Sequence, residues 1–278
     1  MKSICFKTNN KKIIDYLLKS FKNMNLSGTY ISMHKFKHFN NIIIHHTENE
    51  TIKFLTLISN ILTIGIIKNY ENDLIIQNIN LNYFYFNNLE KKKILENTLN
   101  LISEQNIYVQ KYDSINNEIY KFLINNHSFY LQGFINFKLS NYLKLINEQI
   151  DTAVSKFLID KEYIEFVNLL RVYLKSESKN SKTDHLHLIY KNKTSVLVDN
   201  NQNIIECNEN IKKAKYISDI SFSSNDLALN TLLNLVPQKI TVHLIDKQCD
   251  EFINTLKLIF QDRIIIDFGT GQKSIKND

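Results

Sequence analysis

His185 and His187 stand two apart in DHLHLIYK, a run that alternates as a β-strand does. Side chains two apart on a strand share a face. Two imidazoles on one face have the geometry of metal ligands, with His243 or Asp184 as a distant third. Local spacing fixes no coordination shell, however, and a solvated histidine pair is the commoner use of such a pattern. His45 and His46 are adjacent and so point opposite ways. The expectation is no metal and no cofactor.

Other groups in the chain have residue types that could do chemistry. GTGQKS, residues 269–274, follows a strand and superficially resembles a phosphate loop. Such a loop needs Gly-Lys-Ser/Thr running into a helix, whereas Gln272 intervenes here and the expectation is a flexible tail. Cys5, Cys207 and Cys249 are far apart and form no CxxC pair, which argues against a zinc knuckle or a disulfide framework. Cys207 and Cys249 have no histidine beside them, and there is no GxSxG elbow. Tyr83, Phe84, Tyr85 and Phe86 precede Lys91, Lys92 and Lys93, an aromatic–basic arrangement able to stack bases. A mostly buried helix with a solvated basic end is the plainer expectation. Glu148, Asp151, Asp160, Glu162 and Glu165 form an acidic run without the Glu-x-x-His of a di-metal bundle, and are expected to be an exposed face. Arg171 stands out in a chain whose only other arginine is Arg263. A planar guanidinium suits a carboxylate partner, so a buried or interfacial carboxylate pair is one reading and an exposed helix residue the other.

The elements that would hold these residues follow from periodicity. A strand near residues 3–7 is followed by a helix capped at Asn9 or Asn10. TYISMHKF and NIIIHH read as a hairpin, and helices follow over Glu50–Tyr70, Asn72–Asn88 and Leu89–Ser103. Gly133 reads as punctuation before the next helix. Leu139, Leu143, Ile146, Ile150, Ala153 and Phe157 then repeat at spacings of 4, 3, 4, 3, 4. Tyr163, Phe166, Leu170 and Tyr173 resume the pattern after Asp160. Two long helices turning near Asp160, an αα-hairpin, are predicted. SESKNSKTD, residues 176–184, is the best linker. Beyond it a three-stranded meander is expected (DHLHLIYK, TSVLVD, NIIEC). A helix capped by Ser223 and Asp226, a strand KITVHLI, a helix capped by Asp246 and a last strand RIIIDF complete the chain, with the last two strands parallel.

Bulk properties set the class. The 278 residues, with 44% hydrophobic and 22% charged, can bury a sizeable core. Net charge is +6, but lysines are interleaved with Glu and Asp, which weakens a nucleic-acid reading. Abundant Ile, Asn and Lys, with one proline and no tryptophan, fit an AT-rich genome. The longest apolar stretch, Phe54 to Ile67, has 14 residues, shorter than the roughly 20 of a membrane span. It is expected to be a buried core helix in a cytoplasmic protein.

The segments GFINFKLSNYL and DTAVSKFLIDKEYIEFVNLLRVYL, with the later KITVHLID and FQDRIII, resemble the sporulation protein YtxC-like family of endospore-forming bacteria. Phe268-Gly269-Thr270-Gly271 stands where some relatives carry closely spaced cysteines. The resemblance implies a cytoplasmic protein linked to spore formation and supplies no catalytic residues. The expected fold is α+β in three regions: an N-terminal sheet with helices (1–105), a central helical region (106–180) and a C-terminal α/β region (181–278). Action through protein contacts, with a partner or a second copy, is expected; nucleic-acid binding and an enzyme site near the C-terminal sheet are the alternatives. Asn136, Lys138 and Arg171 are the polar positions marked for interaction or structure.

Overall fold

β1 (Lys2–Thr8) is the strand on which the first sheet is built. The computed structural model describes residues 2–24, 26–36, 39–177, 181–205 and 223–268. β1 pairs antiparallel with β3 (Asn40–His46), and β3 antiparallel with β2 (Thr29–Lys35), as the hairpin reading predicts. A fourth strand, β4 (Ser128–Tyr130), adds parallel to β1, giving the order β2-β3-β1-β4. Its three residues are too few for periodicity to declare it.

α1 (Lys11–Lys22) starts where Asn10 accepts hydrogen bonds from the amides of Lys12 and Ile13. α2 (Thr51–Asn69) is long and apolar enough to cross a membrane by composition, yet Phe54, Ile58, Leu62 and Ile66 are fully buried in the first core. α3 (Glu71–Asn82) ends earlier than expected. Tyr83 to Phe86 form a turn rather than helix, because Asn87 caps a new one: its side chain accepts from the amides of Leu89 and Glu90 while Glu90 accepts from its amide. α4 (Asn88–Ser103), α5 (Gln105–Asn125) and α6 (Leu131–Lys138) follow. Gly133 lies inside α6, where an added Cβ would come within 2.8 Å of the Tyr130 ring.

The chain forms two compact units, Met1–Ile159 and Asp160–Asp278, where three regions were expected. The αα-hairpin is a single helix, α7 (Ser140–Ser176). Nothing at Asp160 can turn the chain: no glycine or proline lies within α7, and one aspartate costs a helix interior only about 0.7 kcal/mol. The pause in the apolar pattern has another cause. Leu139, Ile146, Ile150, Ala153 and Phe157 are buried in the first core, and Val167 and Leu174 in the second.

A polar cluster sits inside the first core. The Lys111 ammonium lies 2.7 Å from a Glu71 carboxylate oxygen, and Tyr142 donates its hydroxyl to the other at 3.1 Å. All three side chains are buried. Burial, then the Glu71 charge, holds the Tyr142 hydroxyl well above the usual tyrosine range, so it stays a donor. Glu71 is also the first residue of α3, where the helix dipole favours an anion.

The second unit is a sheet of order β6-β5-β7-β8. β5 (His185–Lys191) and β6 (Thr194–Val198) are antiparallel around Asn192 and Lys193, both at positive φ as a two-residue hairpin turn requires. The expected third meander strand reduces to one bridge, Val198 to Ile204, within the described residues. β7 (Lys239–Leu244) is parallel to β5, and β8 (Ile264–Asp267) parallel to β7. α8 (Ser224–Leu235) carries the predicted Ser223–Asp226 capping box. α9 (Glu251–Phe260) is capped by Asp250 rather than Asp246, which instead accepts from the Asn192 amide. Asp250 also accepts the Tyr190 hydroxyl, tying β5 to α9.

Lys111→Ala is expected to cost roughly 3–5 kcal/mol, since it leaves the Glu71 charge buried without its counter-ion. The paired change Glu71→Gln with Lys111→Met is expected to recover most of that loss. Urea unfolding of the three proteins measures both.

Candidate functional site

Strand alternation divides the second sheet into two unlike faces. Leu186, Leu188 and Tyr190 of β5, with Ile240, Val242 and Leu244 of β7, are buried against α7, α8 and α9. The intervening residues, His185, His187 and Ile189 of β5 and Thr241 and His243 of β7, emerge on the opposite face. β8 adds Ile265 and Asp267 there, in register with Thr241 and His243.

Parallel pairing draws residues distant in sequence into one line. A carboxylate oxygen of Asp267 lies 2.9 Å from Nδ1 of His243, and Nε2 of His243 lies 3.0 Å from Nδ1 of His187. An ionised Asp267 accepts from Nδ1–H of His243, which leaves Nε2 of His243 as an acceptor. His187 then donates from its own Nδ1–H, and its Nε2 carries a free lone pair. Further along, Nε2 of His185 meets the Thr241 hydroxyl at 2.8 Å, and the His185 and His187 rings are 4.3 Å apart. Burial, then the neighbouring His187, Lys239 and His243, lowers the His185 pKa below the usual 6.5.

The line ends in a cavity of about 830 Å³. His187 and His243 form its polar floor beside Ile189 and Ile245. Val196, Val198 and Ile204 make apolar walls, and Asp199, Asn200 and Gln202 stand at the rim. Asp199 accepts from the amides of Asn201 and Asn203 and from the Asn203 side chain, so it shapes the loop. Those bonds to Asn203 lower its pKa and keep it ionised. Among the described residues, no group of three or more His, Cys, Asp or Glu is placed to hold a metal ion. The histidines face one another and Asp267 instead.

The positions marked from sequence lie elsewhere. Asn136 is exposed and accepts from Gln132 at 3.2 Å, and Lys138 is exposed at the end of α6. Among the described residues, no carboxylate lies at ion-pair distance from Arg171. Its Nε donates to the Leu258 carbonyl at 2.6 Å, and one terminal nitrogen to Asn168 at 3.2 Å. Leu258 is in the last turn of α9, where carbonyls lack intrahelical partners and a cation is favoured. Arg263 behaves alike, donating to the carbonyls of Pro237 and, at 3.5 Å, of Leu174 in the last turn of α7. Glu148, Asp151, Glu162 and Glu165 are exposed as expected, whereas Asp160 is half-buried. Cys249 is exposed, whereas Cys207 and Gly269–Ser274 lie outside the described residues. Asp267 escaped sequence reasoning because a lone aspartate at a strand end carries no signal until its neighbour strand is known.

The His185 shift has a sign. Its pKa is lower in the folded chain, so its contribution to stability is full above about 6.5 and is lost as pH falls through the lowered folded value. His185 faces His187, His243 and Lys239, with Asp267 beyond. His185→Gln is therefore expected to flatten part of the fall in thermal midpoint between about pH 7 and 5. Melting curves across that range, compared with the parent protein, would reveal it.

A family model described as "YtxC-like family" matches residues 56–265. A protein of Bacillus subtilis (strain 168), described as "Uncharacterized protein YtxC", is 18% identical over 173 residues, which are 62% of this chain and 59% of that protein. No solved structure matches. With three quarters of its length matched by the family model, the chain belongs to the YtxC-like family.

Proposed function

We propose that the second unit binds a small organic acid with an apolar body, and that His187 holds the proton that accompanies it. The observation that carries this reading is the line Asp267–His243–His187 ending in an apolar-walled cavity. A proton arriving at Nε2 of His187 converts it to an imidazolium. One O–H bond breaks, one N–H bond forms, and the carboxylate stays paired with the new N–H. The imidazolium remains hydrogen-bonded through Nδ1 to His243, whose orientation Asp267 holds. Apolar walls lower the local dielectric and strengthen the ion pair. They also accept the ligand's hydrocarbon portion at about 25 cal/mol for each Å² removed from water.

Octanoate and benzoate are suitable probes, titrated calorimetrically in buffers of different ionisation enthalpy. Binding is expected to take up a proton, seen as a binding enthalpy that changes with the ionisation enthalpy of the buffer. His187→Gln, with an unchanged thermal midpoint, is expected to abolish the uptake. No binding at millimolar probe, or binding without protons, would overturn the reading.

A second reading places the protein in spore formation in the cytoplasm, acting through protein contacts. It is favoured by Phe166, Leu169 and Val172 of α7, which are 50–68% exposed while Val167 and Leu174 are buried. Phe166→Ser with Leu169→Ser is expected to leave the thermal midpoint within a few degrees and to lower heat-resistant spore counts when it replaces the native copy. Normal counts from that strain would remove the contact role.

A further inference from the structure

Leu81, Phe84, Tyr85 and Leu89 are 76%, 74%, 61% and 81% exposed, four large apolar side chains within nine residues. They surround the turn between α3 and α4, and the turn is anchored. Phe86 is buried and meets Phe157 edge-on at 5.5 Å. Tyr83 donates its hydroxyl to Asp151. The capping box at Asn87 and Glu90 fixes the start of α4. With Tyr83 and Phe86 held inward, Phe84 and Tyr85 are kept outward, so little ordering remains to be done when a partner arrives.

Basic charge lies beside this tip. From Leu81 to Leu95 the chain carries Lys91, Lys92 and Lys93 against one acidic residue, Glu90. Lys92 and Lys93 are exposed, and Lys91 is half-buried beside Asn80. A cavity of about 200 Å³ between α3 and α4 has Ile76, Ile79 and Leu95 in its lining, with Lys91 and Lys92 also on its wall. Apolar side chains next to clustered lysines are what an anionic bilayer surface selects: the former enter the acyl boundary, and the latter meet the phosphates.

We infer that this tip docks the protein on the surface of an anionic phospholipid membrane, with Leu81, Phe84, Tyr85 and Leu89 entering the interface and Lys91–Lys93 meeting headgroup phosphates. A single-stranded nucleic acid is the competing partner for aromatics beside lysines. Two observations favour the bilayer. Leu81 and Leu89 flank the rings, and aliphatic chains offer no face to a base. The Phe84 and Tyr85 rings are crossed at 81°, so they form no flat platform for successive bases.

The test is co-sedimentation of the full chain with vesicles of phosphatidylcholine alone or with 30% phosphatidylglycerol (about that fraction suffices to charge the surface). Binding is expected to the anionic vesicles, to weaken with salt, and to be at least tenfold lower on neutral ones. Phe84→Ser with Tyr85→Ser is expected to abolish binding at an unchanged thermal midpoint. Lys92→Glu with Lys93→Glu is expected to weaken it about fivefold or more per lysine. No binding to anionic vesicles overturns the inference, as does binding that the aromatic variant retains. Oligo(dT) binding lost in that variant without vesicle binding would assign the tip to nucleic acid. A drop in solution mass in that variant, again without vesicle binding, would assign it to a second copy.

Discussion

Period-two alternation along β5 and β7 is the constraint on which the second unit depends. Leu186, Leu188 and Tyr190 must point one way to be buried with Ile240, Val242 and Leu244. A one-residue slip of either strand would send its whole apolar set to the wrong face. The same rule gives His185, His187, Thr241 and His243 the other face. The histidine line is thus tied to the core by strand geometry, and packing on one side holds the array on the other. Since the helices α7, α8 and α9 pack on the core side, the array borders an open cavity.

α7 contributes buried side chains to two cores along one continuous helical span. Its buried positions run from Tyr142 to Phe157 in the first unit and reappear at Val167 and Leu174 in the second. Between them lies a stretch with no buried side chain. Broken apolar periodicity usually suggests a turn. Here the backbone stays helical because no residue in it opposes a helix strongly, and only the set of neighbours changes.

Both arginines are used for the same task. Lysine serves most of the basic surface, yet Arg171 and Arg263 each reach a backbone carbonyl in the last turn of a helix. A guanidinium presents several fixed N–H groups and can meet a carbonyl and a second acceptor together, as Arg171 does with Leu258 and Asn168. At Arg171 a helix-end carbonyl and an amide oxygen take the guanidinium where a carboxylate was one of the readings. The carbonyl partner was not legible because a helix end, unlike a carboxylate, is not a residue type that can be read from the chain.

Much of this protein was legible before any fold was known. The α+β class, the hairpin of β2 and β3, the caps at Asn10 and Ser223 and the parallel pair β7 and β8 rest on propensities and periods within a few residues. The family resemblance was legible for the same reason, being carried by contiguous segments. Asp267 carried no signal, whereas His187 and His243 were each visible, and so was the shared face of His185 and His187. Their union was not, because it depends on the register of three strands whose contacting residues lie 24 and 56 positions apart. Whether Asp160 turns the chain, and what Arg171 grips, likewise depend on which surfaces meet after packing, a long-range choice that local periodicity does not encode.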